Sequence, residues 1–218
     1  HWCSQGCCTD VDKGMVKKRL TEEAKEGNRE AMFMLGTTLF DGDGVEDKSS
    51  AIDLWKQAST TSVSAIRMLG RCYEDGDGVD KDVVEAVRLL TIGADKGDEE
   101  SMARLAWHHE NGVGVDVDMD KAYELYNHAF HVPSTKDSDL VFRAKTGTQK
   151  REMVEVMERL SKKGHPQSQN TLGVCYGIGD CVEQDDHKAF SLFETSAMKG
   201  HVSAMLNLGY CYEEGIGV

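Results

Sequence analysis

The sequence predicts an all-α solenoid of antiparallel helix pairs, and three repeated features predict it. The first is a phrase of eleven positions, a Leu-Gly pair followed by a Gly-x-Gly-Val turn, with one letter changed in some copies. The phrase starts at Leu35, Leu69, Leu105, Leu172 and Leu208. The second is an Asp four residues before the Ala of the following helix, and the third is a Gly four residues before the next copy's Ala or Ser. Such self-similarity indicates repeats that stack on their neighbours.

The first helix of each pair, helix A, is predicted from one apolar face. Ala31, Leu35, Gly36 and Phe40 fall on that face because an α-helix turns about 100° per residue. The small Ala and Gly let a neighbouring helix approach closely, while the Leu and the aromatic ring fill the space between them. Helix A ends in the Gly-x-Gly-Val turn, where glycine accepts a positive φ angle.

The second helix, helix B, begins at an acidic cap and ends at a glycine. An Asp at this position accepts hydrogen bonds from free backbone amides and interacts favourably with the helix dipole. The predicted caps are Asp47, Asp82, Asp118 and Asp185, and the predicted stops are Gly27, Gly97, Gly164 and Gly200.

The long interval between the third and fourth phrases hides a further unit. Residues 149–163 precede a glycine stop as the other B helices do, so we predict a degenerate unit at 133–167 whose helix A lies around 139–145. Residues 15–26 are predicted to be a lone helix B.

We therefore expect an N-terminal tail at 1–14 and a single repeat array at 15–218, with about five and a half pairs. The last unit stops before its helix B, and the chain is expected to be a fragment of a longer one.

Composition excludes several classes of function. The net charge is −13 and 39% of the residues are hydrophobic. No apolar run approaches the roughly 18 residues that a membrane span needs, and no basic stripe of the kind found in nucleic-acid binders is present. We expect no membrane span, no nucleic-acid partner and no cofactor.

The cysteines predict a reducing environment. Cys72, Cys175 and Cys211 occupy the same position in successive repeats. Equivalent positions in stacked helices lie roughly 10 Å apart, beyond the roughly 7 Å limit for a disulfide. We expect reduced, half-buried thiols and a cytoplasmic location.

Taken together, the Ala-x-x-x-Leu-Gly-x-x-Tyr-x-x-Gly-x-Gly-Val pattern, the Lys-Ala helix and the glycine stop resemble the Sel1-like repeat family of the tetratricopeptide-like superfamily. The resemblance covers roughly residues 15–218 and implies a right-handed superhelix of helix pairs that assembles protein complexes. The chain departs from the pattern at Thr61, Ala106 and Cys181, each of which replaces a glycine.

A candidate partner-binding groove follows from the helix A face opposite the core, formed by positions two, three, six and ten after the Ala or Ser. Arginine can grip a carboxylate with two hydrogen bonds, and exposed aromatic side chains offer rigid contact area. We hypothesise that the groove binds a peptide or protein tail through an acidic group. An equally weighted alternative is that the arginines pair locally with Asp75 or Glu74. The candidate residues are Arg67, Arg71, Arg104, Trp107, Asn111, Asn170, Asn207 and Tyr210, and Thr171 and Val174 occupy further groove positions.

The sequence favours a non-enzymatic scaffold or adaptor that binds a protein or peptide partner. One alternative is a regulatory or targeting segment of a larger signalling protein associated with a kinase or a ubiquitin ligase. A second is an enzyme with a groove thiol, although no catalytic or metal-binding residue is predicted. The apolar Met205, Leu206 and Leu208 of the last helix A predict a contact with another molecule, including self-association.

Three short motifs are weaker. The His-His-Glu segment at 108–110 lacks zincin spacing and is predicted to be a solvated helix end. The Asp-x-Asp-x-Asp segment at 116–120 lacks the glycine and the final Glu of a calcium loop, so it is predicted to be a loop and a cap. A soft metal would bind near the N-terminus if four side chains converged there, namely His1, Cys3, Cys7 and Cys8.

Overall fold

The computed structural model describes residues 10–41, 45–130, 147–179 and 182–218, and the side chains within those ranges except at 10–13, 45–47 and 147–149. All regular structure in the described residues is α-helical, which confirms the predicted fold class. The helices are α1 (Asp10–Lys25), α2 (Arg29–Phe40), α3 (Val45–Ala58), α4 (Val63–Asp75), α5 (Val83–Asp95), α6 (Glu99–Asn111), α7 (Met119–Ala129), α8 (Gly147–Lys162), α9 (Pro166–Ile178), α10 (Asp186–Met198) and α11 (Val202–Glu214).

The chain divides into two compact units, which we call unit 1 (His1–Ser101) and unit 2 (Met102–Val218). In unit 1, α1 takes the place of the predicted lone helix B, and α2/α3 and α4/α5 form two A/B pairs. The continuity of a single array over residues 15–218 stays a prediction.

Unit 1 is held together by bulky helix B side chains that sit against helix A glycines. A Cβ atom added to Gly36 would lie 2.6 Å from Nε1 of Trp55, and one added to Gly70 would lie 3.2 Å from Leu90. Trp55 is fully buried, and its indole N–H donates to the carbonyl oxygen of Phe33 at 3.2 Å. The glycine in the phrase is therefore a contact point between the two helices of a pair.

The predicted caps are confirmed at three of four helix B starts. Asp82, Asp118 and Asp185 each accept a hydrogen bond from a backbone N–H three residues later, at 2.9–3.0 Å. Asp47 is a wrong prediction, because α3 already begins at Val45 and Asp47 lies inside its first turn. The four glycine stops are confirmed, with φ angles between 85° and 90°.

Unit 2 contains the A/B pairs α6/α7 and α9/α10, the helix α8 between them, and α11. Helix α8 confirms the helix B predicted at 149–163, and it buries Met153, Met157 and Leu160 completely. The helix A predicted around 139–145 lies outside the described residues. Gly173 repeats the contact seen in unit 1, because a Cβ there would lie 2.7 Å from the Phe193 ring.

The cysteine prediction is wrong about burial, and the expected reduced state stays a prediction. Cys72, Cys175 and Cys211 are each buried rather than half-buried, with 3%, 1% and 3% exposure. They act as small apolar side chains between helices.

Candidate functional site

In unit 1, Arg67 is engaged by acidic groups that flank the start of α6. Its Nη1 lies 2.8 Å from Oδ1 of Asp98, and its Nε lies 3.3 Å from Oε2 of Glu100. Asp98 also accepts from the backbone N–H of Ser101 at 2.9 Å, so one carboxylate both holds the arginine and caps a helix. Arg67 therefore pairs within unit 1, but not with Asp75 or Glu74, because its side chain extends toward α6 rather than along its own helix.

Arg71 lies one turn further along α4 and differs from Arg67. Its Nε atom is buried and has no hydrogen-bond partner among the described residues. A buried donor without an acceptor costs free energy that a bound acceptor would recover.

In unit 2, the candidate residues divide into exposed aromatic side chains and paired amides. Trp107 is 42% exposed and Tyr210 is 57% exposed, while Arg104 lies half-buried on α6. Asn170 accepts a hydrogen bond from Nδ2 of Asn207 at 3.0 Å. The two aromatic side chains are thus exposed, whereas the two amide side chains pair with each other.

Asn111 is also occupied. Its Nδ2 donates to the carbonyl oxygen of Trp107 at 2.8 Å, and its Oδ1 accepts from Nζ of Lys163 at 3.0 Å. Asn111 therefore links the end of α6 to the residue that follows α8.

The groove prediction is wrong for two residues of α9. Thr171 and Val174 are each 8% exposed rather than surface residues. Thr171 Oγ1 lies 2.9 Å from Oη of Tyr123, and Val174 packs in a cluster with Phe193 and Cys211. These two positions are buried because side chains of α7 and α10 cover α9 there. Repeat position alone therefore does not predict which side chains of α9 are exposed.

The His-His-Glu segment is not a solvated helix end. His108, His109 and Glu110 are 0%, 8% and 3% exposed. Glu110 lies inside a charged cluster in which Arg159 Nε approaches its Oε1 at 2.8 Å and Lys163 Nζ approaches the same atom at 2.8 Å. The segment is thus a buried part of unit 2.

Two further contacts complete the Glu110 cluster. Tyr126 Oη donates to Oε2 of Glu110 at 3.1 Å and accepts from Nη2 of Arg159 at 2.9 Å. Burial alone would raise the pKa of Glu110, but hydrogen bonds from Arg159 and Lys163 outweigh burial and lower that pKa below its ordinary value. The carboxylate is therefore charged, and it ties α6, α7 and α8 together.

A Ser-His-Asp arrangement in unit 2 does not have the geometry of a catalytic triad. Nδ1 of His165 lies 2.8 Å from Oγ of Ser168, and Nε2 lies 3.0 Å from Oδ1 of Asp120. Ser168 is completely buried, and its backbone N–H donates to the same Nδ1 at 3.2 Å. The imidazole serves as the N-cap of α9, and the serine is not accessible to a substrate.

Two of the described thiols, Cys72 and Cys211, have pKa values that disfavour the groove-thiol alternative. Burial raises the pKa of Cys72 to about 11, with the nearby Asp77 adding to the shift. Burial also raises the pKa of Cys211. Since the thiolate is the nucleophile, these two side chains are unreactive at neutral pH.

Among the described side chains, no group of three or more His, Cys, Asp or Glu residues is arranged to hold a metal ion. His1, Cys3, Cys7 and Cys8 lie outside the described residues.

Comparison with protein families decides the assignment. The Sel1 repeat matches residues 29–60, 63–98, 99–129, 166–201 and 202–218, more than half of the chain. The chain belongs to the Sel1 repeat family. The unmatched stretch between residues 129 and 166 contains all but the last two residues of the degenerate unit predicted at 133–167. None of the curated proteins compared with the chain matches it.

Two solved structures are similar to this Sel1 repeat chain. A protective antigen of uropathogenic Escherichia coli strains, which displays an SLR fold, has 23% sequence identity and a TM-score of 0.55 over 93% of this chain and 45% of the antigen. A Sel1 repeat protein from Oxalobacter formigenes has 23% identity and a TM-score of 0.53 over 94% of this chain and 88% of that protein. The chain therefore spans less than half of the antigen's length. At this level of identity, the likeness shows the fold alone.

Sel1 repeat proteins are generally protein-interaction scaffolds, and the family is typically non-enzymatic. Among the described residues, no helix is both long enough and apolar enough to cross a bilayer.

Proposed function

We propose that this Sel1 repeat protein is a non-enzymatic adaptor that binds a peptide or protein partner carrying an acidic group, and that Arg71 receives this group. The observation that carries the proposal is the buried Nε of Arg71, which has no hydrogen-bond partner among the described residues. A guanidinium binds a carboxylate through two parallel hydrogen bonds, which gives both strength and direction.

Arg67 has a different role in the proposal. Its contacts with Asp98 and Glu100 keep it in place within unit 1, so it shapes the surface near Arg71 rather than binding the ligand. Loss of Arg67 should lower stability, whereas loss of Arg71 should lower binding.

In unit 2, we assign partner contact to the exposed rings of Trp107 and Tyr210. Arg104, three residues before Trp107, occupies a further predicted groove position. Asn111, Asn170 and Asn207 position this surface through their mutual and local hydrogen bonds. Large aromatic side chains supply much of the binding energy at protein interfaces. We also propose a reducing, cytoplasmic location, because Cys72, Cys175 and Cys211 occupy equivalent repeat positions that are too far apart for disulfides.

The test uses an array of short synthetic peptides, each containing one Asp or Glu and each paired with its Asn or Gln counterpart. We expect wild-type protein to select acidic members, and the Arg71→Met variant to bind them about 10- to 100-fold more weakly. Arg71→Met should unfold at the same temperature as wild type or higher. Arg88→Met is the matched control, because Arg88 is 58% exposed and pairs with Glu85 on helix B. Equal binding by wild type and Arg71→Met would refute the proposal.

The apolar face of α11 favours a second function, self-association. Met205 and Leu206 are 48% and 72% exposed, and a Cβ added to Gly209 would meet no atom within 4 Å. Leu208, by contrast, packs partly against the cluster around Val174. We expect Leu206→Glu to lower the mass measured by light scattering from dimer to monomer. A wild-type protein that is monomeric at high concentration would contradict this proposal.

A further inference from the structure

The N-caps of the A helices differ chemically between the two units. In unit 1, the acceptor atoms are Oδ1 of Asn28, Oγ of Ser62 and Oδ2 of Asp98. In unit 2, they are Nδ1 of His165 for α9 and Nδ1 of His201 for α11, each 3.2 Å from a backbone N–H three residues later. Asparagine and serine side chains do not titrate and the ordinary pKa of aspartate is about 3.9, whereas the ordinary pKa of histidine, about 6.5, lies between neutral and mildly acidic pH.

A histidine cap works in one protonation state. A ring nitrogen accepts a hydrogen bond with its lone pair, and protonation turns both nitrogens into donors. The protonated ring would then point an N–H at the backbone N–H that it had accepted from. The hydrogen bond from the backbone amide therefore requires a neutral imidazole in both caps, although Oγ of Ser168, 2.8 Å from Nδ1 of His165, can accept from the protonated ring.

The surroundings of His165 include an aromatic ring and two charged groups. His165 is 5% exposed, and its ring centroid lies 5.2 Å from that of Tyr123. Oδ1 of Asp120, whose side chain is 93% exposed, lies 3.0 Å from Nε2 of His165. Lys199 brings an ammonium group to the carbonyl oxygen of Gly164, next to His165, at 2.6 Å.

Burial first, and the neighbouring His165 second, lower the pKa of His201 below its ordinary value. The neutral ring is therefore favoured in the folded state. The stability that depends on this ring is fully present above the ordinary histidine pKa of about 6.5 and is lost as the pH falls through the lower folded value.

We propose that His165 and His201 form an acid-sensitive pair of helix caps that loosens the N-termini of α9 and α11 at mildly acidic pH while unit 1 keeps its caps. Both helices carry residues of the partner surface assigned to unit 2, namely Asn170, Asn207 and Tyr210. Acid would thus weaken partner binding at that surface; this consequence rests on the proposed function, whereas the loss of the caps does not.

The test compares thermal unfolding at pH ~7.5 and ~5.5 for wild type and the double variant His165→Asn/His201→Asn. Asparagine can cap a helix, as Asn28 does, but does not titrate. Wild type should lose about 2–4 °C more than the double variant for each cap. The control is His187→Asn, because Nδ1 of His187 is a donor, 3.1 Å from the carbonyl oxygen of Gly217, and serves in both protonation states. It should keep the wild-type loss.

A second measurement needs no variant and no partner. Amide hydrogen exchange, corrected for intrinsic rates, should show lower protection of the Ser168 and Ala204 N–H groups at pH ~5.5 than at pH ~7.5, with no change at Ala65. NMR titration should give His201 a pKa below the ordinary histidine value of about 6.5. Equal acid loss in wild type and the double variant, unchanged protection, or a His201 pKa at or above that ordinary value would each overturn the proposal. A failure of peptide binding alone would leave these measurements intact and would count against the proposed function instead.

Discussion

Replacing Gly173 with alanine should destabilise the protein, because this glycine lies where α9 meets α10. An added Cβ would lie 2.7 Å from Cε1 and 2.9 Å from Cδ1 of Phe193, closer than real Cβ atoms approach their neighbours. Moving a buried ring to relieve such overpacking costs about 1–3 kcal/mol. Alanine also recovers about 1 kcal/mol of helix propensity, so the net loss is about 0–2 kcal/mol.

Gly209→Ala is the matched variant that isolates the steric part. Gly209 holds the same repeat position in α11, but a Cβ there would meet nothing within 4 Å, so alanine should raise stability by about 0.5–1 kcal/mol. Helix propensity is common to both variants, and their difference of about 1–3 kcal/mol reports the contact with Phe193. Urea unfolding followed by circular dichroism measures both values. If the two variants are equally stable, Gly173 is not the close contact that the structure shows.

Three further predictions concern the charged cluster, a thiol and a cap. Glu110→Gln should lose about 1–3 kcal/mol at neutral pH. Because the folded pKa of Glu110 is lowered, this difference in the free energy of unfolding should be present above the ordinary pKa of glutamate and shrink as the pH falls through the folded value. Denaturant titrations at several pH values measure the difference. A difference that does not depend on pH would contradict the prediction. Cys72, with a pKa raised to about 11, should resist iodoacetamide in folded protein at neutral pH and react on unfolding; mass spectrometry of labelled peptides decides, and rapid native labelling would be the contrary result. Asp82→Ala should cost about 1 kcal/mol of stability through loss of the α5 cap; exposed Asp80→Ala is the control, and equal stability of the two would contradict the cap.

Much of the fold is predictable from the sequence, because most repeats carry an Asp before helix B and a Gly after it. The glycine stop at Gly164 was enough to predict α8 without a recognisable helix A before it. The Asp caps correctly predict three helix starts. The cap predicted at Asp47 is wrong, because the helix begins two residues earlier, at Val45. The repeat spacing predicts which type of residue caps helix B, but it places the first residue of that helix only to within about one turn.

The candidate site was less predictable because periodicity identifies an apolar face and does not identify what covers the opposite face. Val174 fell at a groove position, yet side chains from neighbouring helices bury it. Glu110 belongs to a polar triplet whose composition is typical of a protein surface, yet it is buried. Its partners Arg159 and Lys163 lie 49 and 53 residues away along the chain. No local pattern signals such a pairing. The sequence identifies Arg67 as a cation in an acidic chain, but its pairing with Asp98 depends on tertiary contacts within unit 1 that the repeat pattern does not specify.

The central claim, that Arg71 binds an acidic group of a partner, is tested most directly by a double-mutant cycle. Arg71→Met in the protein is combined with Asp→Asn or Glu→Gln in the best acidic peptide from the array, and all four affinities are measured by calorimetry. The account predicts a coupling energy of about 1–3 kcal/mol, because both single changes remove the same contact. Additive effects, with coupling within about 0.5 kcal/mol of zero, would contradict it.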